Sequence, residues 1–376
     1  MYKKVFLFGL LLTCAGLIPG ISQPGNKIQQ LLDSMRVAGN FPGLSVSISG
    51  DTKGTMNFVS GYSDKEKNIL LKPSDRLLQG SVGKTYVAAI ALQLIKQGKI
   101  KLDEKVSTYL GGFDWYSRIP NAASITVKMI MNHTSGVMRY EFKEQFTKDL
   151  TANPNRNWKP EDLLQYILDE KASFPAGEGW EYSDTNFILL GMIIEKITGK
   201  KYYALLKKEV LSPYKLENTF PSDSRNLKGL SQGYAGEQNV FGGKDKVIGD
   251  DGLFIINPQF EWTGGGIYSS TEDLSRWGKL LYEGKVADTS LMLSAAIPAK
   301  LGRDVKYGLG VIVRQTSLGI AYGHSGFFPG YLTEMYYFPQ HKFCIAMQAN
   351  SSDFKNLKGS VLRCLIEVAK VVVSSN

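Results

Sequence analysis

The chain has 376 residues, of which 43% are hydrophobic and 21% charged, and a formal net charge of +9. That composition is ordinary for a soluble globular protein, and the length alone suggests two or three structural units. The basic excess is scattered and interrupted by acids, with no Lys/Arg stripe interleaved with aromatics, so no nucleic-acid partner is expected.

The first 22 residues stand apart. Lys3 and Lys4 precede an apolar run over 5–18, and Gly20 and Ser22 supply small residues before Gln23. The run is shorter than the ~20 residues that span a bilayer, so it reads as a secretory signal over 1–22. The mature chain, 23–376, is then expected to be periplasmic or secreted, with no stable membrane span. Cys14 raises a lipoprotein alternative, against which Thr13 stands where a small glycine or alanine is expected. Signal removal takes two lysines from the formal +9, leaving +7.

Residues 43–49 alternate with period two, turn chemistry follows at Gly50-Asp51 and Lys53-Gly54, and 55–61 continue as a second strand of a β-hairpin. A helix is predicted from near Ser81 to near Gly98. From 101 to about 260 helical segments (127–131, 160–168, 187–198) alternate with loops rich in Gly, Pro and Asn. Residues 228–258 form a long loop, a class that is usually functional or mobile. Further on, 271–282 read as a helix capped by Ser270 or Thr271, with Glu272 and Asp273 in its first turn. Short strands are predicted at 307–313, 320–323, 331–338 and 343–349, and an amphipathic helix at 357–373. Strands at both chain ends with helices between them imply an α/β (α+β) fold. Its sheet is built from both termini (23–103 and 261–376), around a mostly helical insertion over 104–260.

The most informative stretch is Gln79-Gly80-Ser81-Val82-Gly83-Lys84-Thr85. At i and i+3 on a helix, Ser81 and Lys84 share a face, close to the N-terminal partial charge and free N–H groups. A serine hydroxyl needs a neighbour to remove its proton, and a close lysine can help. The same pattern recurs at Ser212–Lys215, which contains Pro213, and at Ser352–Lys355, but only Ser81 opens a clear helix. A second piece is Tyr182-Ser183-Asp184-Thr185-Asn186, at a loop-to-helix junction. Either Tyr182 points into a cleft, as a base if cations lower its pKa, or it packs on the helix while Ser183 or Asp184 caps it. A third is His324-Ser325-Gly326-Phe327, ahead of the Pro329-Gly330 turn, where histidine titrates near neutrality and glycine admits close approach. The three histidines lack metal-ligand spacing, and neither a metal nor a cofactor is expected. Cys344 and Cys364 are either paired or left as buried thiols.

The order Ser-x-x-Lys, then Tyr-Ser-Asp, then His-Ser-Gly resembles the penicillin-recognising serine hydrolases. The resemblance is to the branch with class C β-lactamases, D-Ala-D-Ala carboxypeptidases, D-aminopeptidases and esterases. Further landmarks are Phe41-Pro42-Gly43-Leu44-Ser45-Val46, Lys101-Leu102-Asp103, Ile125-Thr126-Val127 and Asn132-His133-Thr134-Ser135-Gly136. The resemblance implies a β-lactamase/transpeptidase-like fold and catalysis through an acyl-enzyme. Ser81 is then the nucleophile, Lys84 and Tyr182 move its proton, and the N–H groups of Ser81 and Phe327 form an oxyanion hole. Asp184, His324, Ser325, Gly326 and Phe327 are the implied substrate-binding residues, and His133 is structural.

Two departures bear on the substrate. His324 stands where class C β-lactamases carry lysine, which moves the expectation from β-lactamase towards carboxypeptidase or esterase. Asp184 stands where the family has asparagine; a carboxylate there favours a charged Lys84, leaves Tyr182 the better base and opposes an anionic substrate. The leading expectation is a D-Ala-D-Ala carboxypeptidase-like hydrolase of D-amino-acid peptides, with β-lactam or small-ester hydrolysis as alternatives and a non-catalytic binding module as the least favoured. Activity is expected to rise through the titration of His324 or Tyr182.

Overall fold

The structure, a computed structural model, describes residues 23–51, 54–237, 239 and 245–375. The signal expected over 1–22, including Cys14, lies outside the described residues. In chain order the strands are β1 (Gly43–Ser49), β2 (Thr55–Asp64), β3 (Ile69–Leu70), β4 (Arg76–Leu78), β5 (Thr219–Pro221), β6 (Ile267–Ser270), β7 (Ile297–Pro298), β8 (Val305–Tyr307), β9 (Ile312–Thr316), β10 (Gly319–Phe328), β11 (Tyr331–Phe338) and β12 (Phe343–Ala349). Nine form one antiparallel sheet in the order β3-β2-β1-β12-β11-β10-β9-β8-β7, and β4-β6-β5 form a small second sheet. N-terminal and C-terminal strands meet inside the large sheet, where β1 pairs with β12, Leu44 opposite Ala349 and Ser49 opposite Cys344.

Alternation explains why β12 is buried along its whole length. Phe343, Ile345 and Met347 point to one core, under the helices Gln23–Gly39 and Val361–Ser374, while Cys344 and Ala346 point to the other, under Thr271–Tyr282. Covering both faces of a sheet turns a period-two strand into a continuous apolar run. Cys344 and Cys364 are buried free thiols in these two separate cores, which settles the choice against a disulfide.

The hairpin, the helix Thr271–Tyr282 and the strands β11 and β12 lie where the sequence pattern puts them. Ser270 caps that helix by accepting the Asp273 N–H. The strand predicted over 307–313 is instead two strands, β8 and β9, broken by Gly308 to Val311. Gly310 sits at φ 74 and donates its N–H to Met131 of the helical region, a tertiary contact that a continuous strand could not make. The helix expected over 160–168 stops at Leu164, and the helix Gln23–Gly39 was not anticipated. Among the described residues of 228–257, pairing is confined to isolated bridges, such as Tyr234 with Ser351.

Two helices hold the site in place. Lys84–Lys96 and Asp184–Thr198 are apolar on nearly every side and run through the core, as such helices must. Tyr86 stacks on Trp277 at 4.1 Å, and Trp277 Nε1 donates to Thr85 Oγ1 at 2.8 Å. Gly199 ends the second helix at φ 65.

Candidate active site

Ser81 lies on a tight 3₁₀ turn, Gly80–Gly83, that feeds the helix Lys84–Lys96. The turn is pinned from both sides. Gln79 donates its backbone N–H to Ile267 of the small sheet and its side chain to Ser269 Oγ at 2.8 Å. On the other side runs β10. Its residues 319–323 pair with β9, but beyond Gly323 that edge is released and faces the Ser81 turn. Two glycines let the backbones meet: a Cβ on Gly80 would stand 2.8 Å from Phe327 N, and one on Gly326 would overlap the Gln79 carbonyl oxygen. The backbone of Gly326 and Phe327 is thereby held directly against residues 79–81.

Lys84 Nζ donates to Ser81 Oγ at 3.1 Å, to the Asp184 carboxylate and to the Gly264 carbonyl. Three contacts use up the three N–H bonds of an ammonium. Asp184 also faces Arg139, whose Nη2 lies 3.8 Å from Oδ2 and whose Nε donates to Glu141 Oε1 at 2.6 Å. Burial opposes ionisation of Asp184, but Lys84 and Arg139 outweigh it and hold its carboxyl well below the usual range. Arg139 and Glu141 were not anticipated. They follow the Asn132–Gly136 landmark in sequence, yet a lone arginine and a lone glutamate carry no local pattern.

Tyr182 reaches the same point. Its ring lies 5.0 Å from Lys84 Nζ and 4.3 Å from the His133 ring. Its hydroxyl is enclosed with no full hydrogen bond, although Ser81 is near enough to affect its acidity. Burial and then the Asp184 charge push the phenol well above its ordinary value, so the lowering by cations that a free phenolate base requires is not met. Ser183 is the N-cap residue but makes no cap bond, donating instead to the Met138 carbonyl. His133 is buried and structural in character: Nδ1 accepts from Ser183 N and faces Asn186 Nδ2 at 3.1 Å.

His324 departs from expectation. It is 1% exposed, and both ring nitrogens are spent on the protein. Nδ1 donates to the Ser325 carbonyl at 2.7 Å, which leaves Nε2 to accept the Tyr307 hydroxyl at 2.9 Å. Burial and then Lys84 lower its pKa to about 3, so the ring is neutral across the physiological range. With Tyr182 shifted upwards, neither group titrates between about pH 5 and 9, and the expected rise through them is corrected. Ser325 Oγ donates to Glu334 Oε2 at 2.6 Å, and burial lifts Glu334 to about 7.

These residues line one cleft of about 550 Å³, which holds Ser81, Tyr182, Asp184 and the His324–Phe327 strand. A larger cavity of about 720 Å³, between Arg36, Tyr234 and Asp353, contains none of them. Its lining combines apolar side chains, among them Phe146, Leu150, Phe260 and Phe328, with the carboxyl groups of Glu141, Asp184, Glu261 and Glu334. Glu261 stands on the turn Pro258–Gly264, which also presents the Gly264 carbonyl to Lys84. The next residue, Trp262, adopts φ 37, a strained conformation for a bulky side chain. Among the described residues, no hydrogen-bond donor or salt-bridge cation sits on the Glu261 carboxyl, and burial raises it to about 8. No set of three or more His, Cys, Asp or Glu is arranged to hold a metal among the described residues.

A serine flanked by an ammonium and a phenol, on a turn seated between two sheets, is the site of a penicillin-recognising serine hydrolase. The chain belongs to the Beta-lactamase family, whose profile matches residues 26–360 and whose members are serine hydrolases. Over 319 residues it is 25% identical to penicillin-binding protein 4* of Bacillus subtilis, covering 81% of this chain and 67% of that protein. It spans about half the length (48%) of further curated relatives. Among solved structures, a D-stereospecific amidohydrolase from Streptomyces sp. superposes with a TM-score of 0.77 at 25% identity, covering 91% of this chain and 97% of that one. The D-amino acid amidase of Ochrobactrum anthropi SV3 shares the fold, with a TM-score of 0.79 at 23% identity and coverage of 94% and 99%.

Proposed function

We propose that the chain is a serine hydrolase that acylates Ser81 and cleaves amides or short peptides of D-amino acids bearing a free amino group. The carrying observation is the lack of a free cation among the described residues that line the cleft. Four carboxyl groups face it, and Arg139, the one Lys or Arg among the described residues lining it, is already paired with Glu141 and Asp184. A substrate carboxylate finds no free cation there, whereas an ammonium finds Glu261, which gives up its proton to pair with the incoming charge. The apolar part of the lining suits a hydrophobic side chain. The names of the Streptomyces and Ochrobactrum proteins support the D-configuration and the amide bond.

In this reading Lys84 donates to the serine oxygen and stabilises the charge that develops during attack. Because the Tyr182 phenol stays protonated, it acts as a relay: its oxygen takes the serine proton while its own proton goes to the leaving nitrogen. The amine departs neutral, and no free phenolate is needed. Tyr182→Phe is expected to lower kcat by roughly 10²–10⁴ with little change in KM. Single-turnover kinetics on an amide substrate check this, and a kcat within about threefold of wild type would remove Tyr182 from the relay.

The substrate claim is tested with matched pairs: a D-amino-acid anilide, its N-acetyl derivative, and a peptide ending in D-Ala-D-Ala. The free amine is expected to be preferred. Glu261→Gln is expected to raise KM for it by roughly 10- to 100-fold, the value of a hydrogen bond to a charged group, and to leave the acetylated compound unaffected. Equal handling of all three would defeat the amine assignment. Carboxypeptidase action is the second reading, favoured by the similarity to penicillin-binding protein 4*. It predicts that the D-Ala-D-Ala peptide is turned over fastest. Export, proposed from residues 1–22, is tested by the N-terminal sequence of the protein recovered outside the cytoplasm.

A further inference from the structure

Two carboxyl groups drawn to one guanidinium in an enclosed place favour a proton on one of them. Glu141, on the turn Tyr140–Phe142, and Asp184, at the start of the helix Asp184–Thr198, both face Arg139, at 2.6 Å and 3.8 Å. One Glu141 oxygen accepts the Arg139 Nε–H at 2.6 Å. The other, Oε2, is enclosed with no donor beside it among the described residues, a costly position for an ionised group and a natural one for a carboxylic acid facing Asp184. Asp184 is the member that stays ionised, because Lys84 and Arg139 both pair with it.

We propose that Glu141 is a positioning residue that holds the proton joining it to Asp184, and so keeps the cluster of Lys84, Arg139, Asp184 and Glu141 at one net positive charge behind Ser81. This rests on the reading that Ser81 is acylated. Acylation places negative charge on the former carbonyl oxygen, and a net cation a few ångströms behind it stabilises that charge. When Glu141 releases its proton to solvent, the two carboxylates cancel Lys84 and Arg139, and the stabilisation is withdrawn. An asparagine at 184, the residue the family resemblance leads one to expect, would need no such proton. The asparagine-to-aspartate change and Glu141 therefore belong together.

Every charged or titratable neighbour bears on the result. Arg139 and Tyr140 precede Glu141 in the chain, Asp184 and Tyr182 face it from the second buried helix and the loop before it, and Lys84 acts through Asp184. Glu261 approaches the same cluster from the turn Pro258–Gly264. Burial, then the Asp184 charge, lift Glu141 to about 8, and the same causes lift Glu261 to about 8, so the two must be separated experimentally.

The test is the pH profile of kcat for a neutral activated ester, which does not use the amine site. Wild type, Glu141→Gln, Glu261→Gln and Asp184→Asn are each normalised to their own value at neutral pH, with Ser81→Ala as the blank. The wild-type rate is expected to fall above about pH 8. Glu141→Gln, whose amide still donates to Asp184 and accepts from Arg139, is expected to lose that fall, while Glu261→Gln keeps it. Asp184→Asn removes the charge that raises Glu141 and is expected to move the fall to lower pH, a second readout should Glu141→Gln fold poorly. An unchanged alkaline limb in Glu141→Gln, or a limb that disappears in Glu261→Gln instead, overturns the proposal while acylation at Ser81 stands. Ester turnover persisting in Ser81→Ala would overturn the acyl-enzyme reading itself.

Discussion

Ser81→Ala is expected to abolish covalent adduct formation with a penicillin or an activated ester, and to lower turnover by on the order of 10⁶, as for the loss of other serine nucleophiles. The change is clean in physical terms. Alanine removes only Oγ; the backbone N–H remains, and Lys84 keeps its bonds to Asp184 and Gly264. Stability should shift by about 1 kcal/mol or less, the worth of one hydrogen bond, so lost activity cannot be ascribed to unfolding. The other two Ser-x-x-Lys copies are the controls. Ser212 ends a short helical turn, and Ser352 Oγ is occupied by the Gly330 N–H; neither lines the cleft. Ser212→Ala and Ser352→Ala should both form the adduct. Intact mass during incubation measures all three variants, and an adduct on Ser81→Ala would end the assignment. The adduct's lifetime in wild type separates slow from fast deacylation, and hence a β-lactam-inhibited enzyme from one that hydrolyses the drug.

What the sequence shows and what it hides divides along the range of the interactions involved. Ser81 and Lys84 are three residues apart on one turn, so their meeting was legible without a fold. The helix Thr271–Tyr282 and the strands β11 and β12 were legible for the same reason, because capping and alternation are local. The helix Gln23–Gly39 could have been read too, since Ile28, Leu32 and Met35 recur at helical spacing. The strand break at Gly308 to Val311 could not, because it answers to Met131, far away in the chain. Asp184 was visible as a departure from the family pattern, but its meaning depends on Arg139 and Glu141, which only the fold brings to it. Burial misled most. Its type alone makes His324 look like a titrating group, whereas burial and Lys84 keep it neutral and the Tyr307 hydroxyl ties it into the cleft lining. Glu261 had no signal at all, being exposed to the cleft by the strained turn at Trp262.

A single methyl group at Gly326 is expected to do nearly as much damage to turnover as losing an oxyanion donor. The Gly326 backbone is not in a left-handed conformation, so the cost of Gly326→Ala is steric: the new Cβ overlaps the Gln79 carbonyl oxygen and presses on Val82 at 3.1 Å. Gln79 has nowhere to go. It is fully buried, its side chain bonds Ser269 and Tyr86, and its backbone N–H bonds Ile267. The Ser81 turn and β10 must therefore move apart, which separates the N–H groups of Ser81 and Phe327 that are proposed to share one oxygen. A misplaced donor costs roughly 10²–10³ in kcat, about 3–4 kcal/mol in the transition state. The overpacking itself costs about 1–3 kcal/mol of stability. Gly319→Ala is the matching control: it strains the far end of the same strand, where φ is 92, and meets only the flexible Gln340 side chain. It should lower the melting temperature without lowering kcat. If Gly326→Ala retains kcat within about threefold, the Ser81–Phe327 pair is not the oxyanion hole. A loss in kcat that Gly319→Ala does not share, at matched stability, ties the loss to the contact between the Ser81 turn and β10.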